Sequence, residues 1–157
     1  GKDIVKASSY EVDVFGNSTE SAELTKARVE ARVAKYAEAK RFVEENFEMV
    51  KISGKKTSKN LVIGWGSSSG AIGDAVQGLD CKFLQVVYMK PLSSVIKKEM
   101  MKAENIILVE GNVTGQLGRL LREKTGVGIP EKNRILKYDG RPFVRDELAT
   151  EIRRRLR

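Results

Sequence analysis

Few residues in this chain could do chemistry. It has no His and a single Cys, Cys81. Without His there is no Ser-His-Asp triad, no Cys-His pair and no His-ligated zinc. One Cys neither holds an iron–sulfur cluster nor closes an internal disulfide, and the expected compartment is reducing. What remains is three short polar loops, each following an apolar run: Gly64-Trp65-Gly66-Ser67-Ser68-Ser69-Gly70, Glu110-Gly111-Asn112-Val113-Thr114-Gly115 and Asp139-Gly140-Arg141-Pro142.

The first loop has the spacing G-x-G-x-x-x-G, one residue longer than the dinucleotide fingerprint, and the second strand ends in Met89-Lys90 where that fingerprint wants a carboxylate. No Gly-Lys-Ser/Thr follows, so it is not a P-loop. Gly64, Gly66, Ser67, Ser68 and Gly70 read either as a tight structural turn or as a loop whose N–H groups face an anion or a neighbouring subunit. In the second loop Asn112 or Thr114 reads as a cap for the next helix. Gly115 reads as allowing close approach of helix to sheet, and Glu110 and Gln116 as polar groups near a site. No second carboxylate pairs with Glu110 for acid–base work. The third loop is turn chemistry. Arg141 either ties the turn to Asp139 or clamps an oxyanion. Cys81 reads as a small buried hydrophobe. No catalytic residue and no metal site is expected.

These loops need a frame. The chain has 157 residues with 29 Lys+Arg against 21 Asp+Glu, a formal net charge of +8. Its length suits one domain, or one domain with a helical arm. Residues 1–18 are mixed, with an alternating patch at Tyr10–Val14 expected as an edge strand or extended arm. Ser18 or Thr19 reads as the cap of a helix over 20–47. Its stripe of Val29, Val33, Tyr36, Val43 and Phe47 is interrupted by Lys40, so only partial burial is expected. Lys40–Glu44 and Arg41–Glu45 have i,i+4 spacing. Residues 51–59 read as a basic linker.

Beyond it, strands are expected at 60–63, 82–89, 105–109 and 134–138. Helices are expected at 70–77, from Ser93 or Ser94 to Ala103, at 114–125 closed by Gly126, and at 144–156 with Leu148, Ile152 and Leu156 inward. This alternation predicts a three-layer α/β/α domain with a mostly parallel sheet over residues 58–157, preceded by a long helix within 1–57. In such sheets ligands lie outside the carboxyl ends of the strands, where the three loops emerge.

No run is long enough to span a membrane. The opening, Gly1-Lys2-Asp3-Ile4, does not read as a signal peptide and, lacking Met, reads as the start of a fragment. The basic run Arg153–Arg157 reads as a solvated helix end with cations near its C-terminus. No aromatics interleave with the basic runs, so single-stranded nucleic acid has no stacking platform.

Taken in order, Leu61–Ser67 with Gly70, Val109–Leu117 and Ile135–Phe143 resemble the C-terminal half of the alpha subunit of 2-oxoacid:ferredoxin oxidoreductases of the 2-oxoglutarate synthase type. Ser9–Glu20 resembles the segment before that subunit's long helix, with Val12 and Val14 where the family usually has an acidic, His-containing version. The resemblance implies a fold like the C-terminal domain of transketolase. It implies a cytoplasmic assembly that converts a 2-oxoacid to an acyl-CoA with thiamine diphosphate, coenzyme A, iron–sulfur clusters and ferredoxin. It further implies that the cofactors sit outside this chain, in the preceding domain and the beta subunit. The expected role is then a non-catalytic domain that holds domains and subunits together and meets ferredoxin only indirectly. The alternative is a free-standing basic module binding nucleic acid or another anionic ligand.

Overall fold

The computed structural model describes Lys2 and residues 6–156. Gly1, Asp3 and Ile4 of the opening tetrapeptide and Arg157 of the basic run lie outside the described residues. The chain divides into two compact units, the first ending at Asn46 and the second starting at Phe47.

In the first unit, Tyr10–Val14 is neither an edge strand nor an arm but one side of a turn. The Asp13 carboxylate accepts from the amides of Phe15 (2.8 Å) and Asn17 (2.9 Å), and Val12 bridges Ser18 across the turn. Those two amides, Asn17 foremost, hold the Asp13 carboxyl below its ordinary range. Helix α1 spans Ala22–Asn46. Its cap is Ser21, whose hydroxyl accepts from Leu24 N, rather than Ser18 or Thr19. Those two are drawn instead into the turn, where Thr19 N donates to Glu11 O. Along the stripe Val43 is half-buried while Val33 is 67% exposed, and no residue of α1 is fully buried. Lysines, arginines and glutamates occupy every face of the helix, and the pair Lys26–Glu30 at 3.9 Å is of the exposed i,i+4 kind.

In the second unit, β1 (Val50–Gly54), β2 (Asn60–Trp65), β3 (Lys82–Val86), β4 (Asn105–Glu110) and β5 (Arg134–Leu136) form one sheet in the order β1-β3-β2-β4-β5. β1 is antiparallel to β3 and every other pairing is parallel. The stretch 51–59, expected as a linker, therefore supplies an edge strand. Val50 and Ile52 alternate with exposed Lys51 and Ser53 and pack on the core, a pattern five residues long that lysines obscure. β3 stops at Val86, three residues short of the expected end.

Helices α2 (Ser69–Ala75), α3 (Ser94–Lys102), α4 (Gln116–Thr125) and α5 (Arg145–Arg153) cover the sheet. One core holds Ile96 and Met100 of α3 and Leu117 and Leu121 of α4 against Leu61, Ile63, Leu84 and Leu108. The other holds Ile72 of α2 and Leu148 and Ile152 of α5 against Val62, Phe83, Ile107 and Val109. Alternate side chains of the central strands thus feed opposite cores, which explains why β2 and β4 read as continuous apolar runs. The direction in which strands are added across the sheet reverses at β2: β3 lies to one side of it and β4 to the other. The loops after β2 and β4 part at that switch point.

Candidate functional site at the carboxyl ends of the strands

The three loops meet. A cleft of about 710 Å³ opens among them, walled by Trp65, Gly66, Ser67 and Ser68 from the first, Gly111 and Asn112 from the second, and Lys137, Tyr138, Gly140, Arg141 and Phe143 from the third. The first loop turns as a short 3-10 segment at Gly66–Ser68, where Ser68 Oγ donates to Trp65 O at 2.7 Å. Gly66 has φ +60°, a left-handed conformation that glycine adopts without strain.

Glu110 organises the second loop. It is fully buried. Its Oε1 accepts from Asn112 Nδ2 (2.6 Å), Leu117 N (2.8 Å) and Trp65 Nε1 (3.3 Å). Asn112 Oδ1 in turn accepts from Thr114 N (3.1 Å) and Gln116 N (3.3 Å). The first amides of α4 are therefore satisfied by Asn112 and Glu110 together. Asn112 is a cap, as the sequence suggests, and Thr114 is a donor to it. Glu110 Oε2 and Ser69 Oγ are buried with no hydrogen-bond partner among the described residues. Buried polar atoms without partners are rare in folded proteins.

The third loop is held to the second by Lys137 N donating to Glu110 O at 3.1 Å. Asp139 Oδ1 accepts from Arg141 N (3.0 Å), and Asp139 Oδ2 pairs with Lys137 Nζ (2.8 Å). Lys137, then the Arg141 amide, lowers the Asp139 carboxyl below its usual range. The tie between Arg141 and Asp139 is thus a backbone one. The carboxylate is already engaged by Lys137, and the Arg141 guanidinium has no partner among the described residues.

Of the residues singled out in the sequence, Gly66, Ser67, Ser68, Asn112, Gly140 and Arg141 line the cleft. Glu110, Thr114, Gln116 and Asp139 stand behind its walls. Gly64 does not face it: a Cβ there would strike Ile72 Cδ1, so this glycine serves strand–helix packing. Gly115 has φ +60°, and the close helix–sheet approach belongs to Gly118 instead, where a Cβ would come within 2.7 Å of Leu108 Cδ2. Gly70 meets open space. Trp65, Lys137, Tyr138 and Phe143 are walls that the loop-by-loop reading passed over; the lone tryptophan at a strand end is the signal that was there.

The remaining candidates are structural. Cys81 is fully buried, and burial pushes its thiol up to about 11. In the basic run, Arg154 and Arg155 pair with Glu151 at 2.7 and 2.6 Å, and Arg155 Nε donates to Lys132 O at 2.8 Å. Arg155 foremost holds the Glu151 carboxyl below its ordinary range.

A parallel α/β/α unit with a cleft at the switch point is a widely shared frame, and no family model matches the chain. Individual relatives are more informative. The chain is 36% identical over 126 residues to 2-oxoacid:ferredoxin oxidoreductase 1, subunit alpha, of Sulfurisphaera tokodaii, covering 78% of this chain and 20% of that one. It is 32% identical over 149 residues to the 2-oxoacid:ferredoxin oxidoreductase subunit alpha of Saccharolobus solfataricus, covering 91% and 23%. A 2-oxoglutarate:ferredoxin oxidoreductase from Magnetococcus marinus, solved with 2-oxoglutarate, coenzyme A and succinyl-CoA bound, shares the fold. It superposes with a TM-score of 0.80 over 97% of this chain and 27% of that one, at 19% identity. The chain is a homologue of a segment of 2-oxoacid:ferredoxin oxidoreductase alpha subunits, and it spans about a fifth of the length of the curated relatives it matches.

Proposed function

We propose that this chain is a non-catalytic domain of a 2-oxoacid:ferredoxin oxidoreductase alpha subunit, built to hold catalytic domains and subunits together. The observation that carries this is the combination of homology along most of the chain with coverage of only about a fifth of each relative. The residue inventory agrees. Iron–sulfur clusters, among the cofactors this family implies, do not fit the residues present. The single Cys is buried, and no group of three His, Cys, Asp or Glu is poised for a metal among the described residues. Glu110 has no nucleophile or base beside it. Cofactors, coenzyme A and the 2-oxoacid then belong to other parts of the enzyme, in the cytoplasm, with the beta subunit as neighbour and ferredoxin met indirectly. The division is α1 as an arm and the α/β unit as the docking body, whose strand-end loops approach the site without composing it.

The test is reconstitution. The chain is mixed with the remaining domains and subunits of such an enzyme, and 2-oxoacid-dependent ferredoxin reduction is assayed with association measured in parallel. Association without turnover by the chain alone is expected. Turnover by the chain alone, or no association, overturns the proposal. Binding to duplex DNA that falls steeply with salt favours the nucleic-acid module instead.

A further inference from the structure

Three aromatic rings stand on the carboxyl end of the sheet. Trp65 is 37% exposed, Tyr138 is 68% exposed and Phe143 is half-buried. Apolar surface continues past the cleft at Val113 and Val144, 58% and 52% exposed. Among the cleft walls the charged residues are Lys137 and Arg141. The nearby carboxylates are engaged: Asp139 by Lys137, and Glu110 by three donors beneath the floor. Arg141 therefore presents an uncommitted cation beside exposed Trp and Tyr. Tryptophan, tyrosine and arginine are the residue types that concentrate binding energy at protein interfaces.

We infer that, within the assembly proposed above, this cleft docks an acidic polypeptide segment of a partner, with a carboxylate on Arg141 and an apolar side chain against Trp65, Tyr138 and Phe143. The planar guanidinium suits a carboxylate, through two parallel hydrogen bonds. The aromatic walls bury the neighbouring side chain and keep water from the ion pair. A net charge of +8 speeds the encounter with an acidic partner.

Trp65 is the sole tryptophan of the chain, so its fluorescence reports on this cleft alone. The full chain is titrated with the capped peptide acetyl-Glu-Phe-Glu-Leu-amide, with its acetyl-Gln-Phe-Gln-Leu-amide counterpart and with sodium acetate. A saturable change with the acidic peptide is expected. It weakens about tenfold or more for the Gln peptide and for Arg141→Gln, as loss of a charge-assisted hydrogen bond requires. It is unaltered by substitution of exposed Arg153 on α5, Arg153→Gln. The proposal is overturned by no saturable change up to about 1 mM, by equal binding of the Gln peptide or to Arg141→Gln, or by acetate giving the same response at the same concentration. A chain that associates with its subunits yet shows no saturable peptide response overturns the cleft and leaves the assembly reading standing. A chain that binds the peptide yet fails to associate does the reverse.

Discussion

The two ends of the parallel sheet settle the same polar accounts differently. At the amino end, Asn60, Asn105 and Asn133 are all buried, yet each amide is occupied. Asn105 Nδ2 donates to Asn60 Oδ1 (3.1 Å) and Arg155 O (2.6 Å). Asn133 Nδ2 donates to Asn105 Oδ1 (2.8 Å) and Ile106 O (3.0 Å), and Asn60 Nδ2 to Asp80 O (3.0 Å). Lys82 and Glu99 close this end with an ion pair whose side chains are each 12% exposed. At the carboxyl end, fully buried Glu110 gathers three donors on one oxygen behind the walls of an open cleft. A polar network as fully paired as the one at the amino end belongs to folding.

The comparison breaks most readily at Asn105. Asn105→Leu removes one of the two acceptors of the Asn133 amide and the donor shared by Asn60 Oδ1 and Arg155 O, and costs about 3 kcal/mol. In a thermal melt this appears as a fall of roughly 6–12 °C for a domain of this size. Next, Gly64→Ala forces a methyl group into Ile72 and costs about 2 kcal/mol by urea denaturation.

At the carboxyl end Glu110→Ala removes the acceptor for Trp65, Asn112 and Leu117 and costs about 2 kcal/mol. Glu110→Gln keeps one oxygen for all three donors and costs less than about 1 kcal/mol. If Glu110→Gln were as damaging as Glu110→Ala, the charge rather than the acceptor would hold this loop.

Acid sharpens the contrast at the amino end. Lys82 foremost, with Lys102 adding, holds the Glu99 carboxyl below its ordinary 4.5. A carboxylate lowered by folding contributes stability that is fully present above its unfolded value and is lost as pH falls through the folded one. Glu99→Gln therefore lowers stability at neutral pH and flattens the acid limb below about 4.5 in a pH series of urea melts. The smallest effect is expected from Lys137→Ala, which breaks the partly exposed pair with Asp139 and changes stability by less than about 0.5 kcal/mol.

The central strands and their helices were legible because their signals are local. Residues 61–63 and 106–109 are unbroken apolar runs, Ser93 accepts from Val95 N at 3.2 Å as a cap must, and Gly126 closes α4 at φ +79°. β1 was missed because two apolar residues between lysines resemble a linker until β3 lies beside them. The cap of α1 was misplaced because several hydroxyl-bearing residues compete there, and the turn around Asp13 claims the earlier ones. At the cleft, the three loops could be chosen from their glycines and their places after strands. Which side chains turn inward could not, since Gly64 and Gly66 look equivalent in sequence while one packs on Ile72 and the other turns the chain.

The order of apolar runs, caps and turn residues by itself determined an α/β/α unit with polar loops at one end of its strands, because periodicity and capping act over a few residues. Only the tertiary structure decided that Asn60, Asn105 and Asn133 seal one end, that Lys137 rather than Arg141 takes the Asp139 carboxylate, and that Glu110 gathers Trp65, Asn112 and Leu117 on one oxygen. Each depends on which distant groups the sheet brings within about 3 Å, the range of a hydrogen bond, and no spacing along the chain encodes that distance.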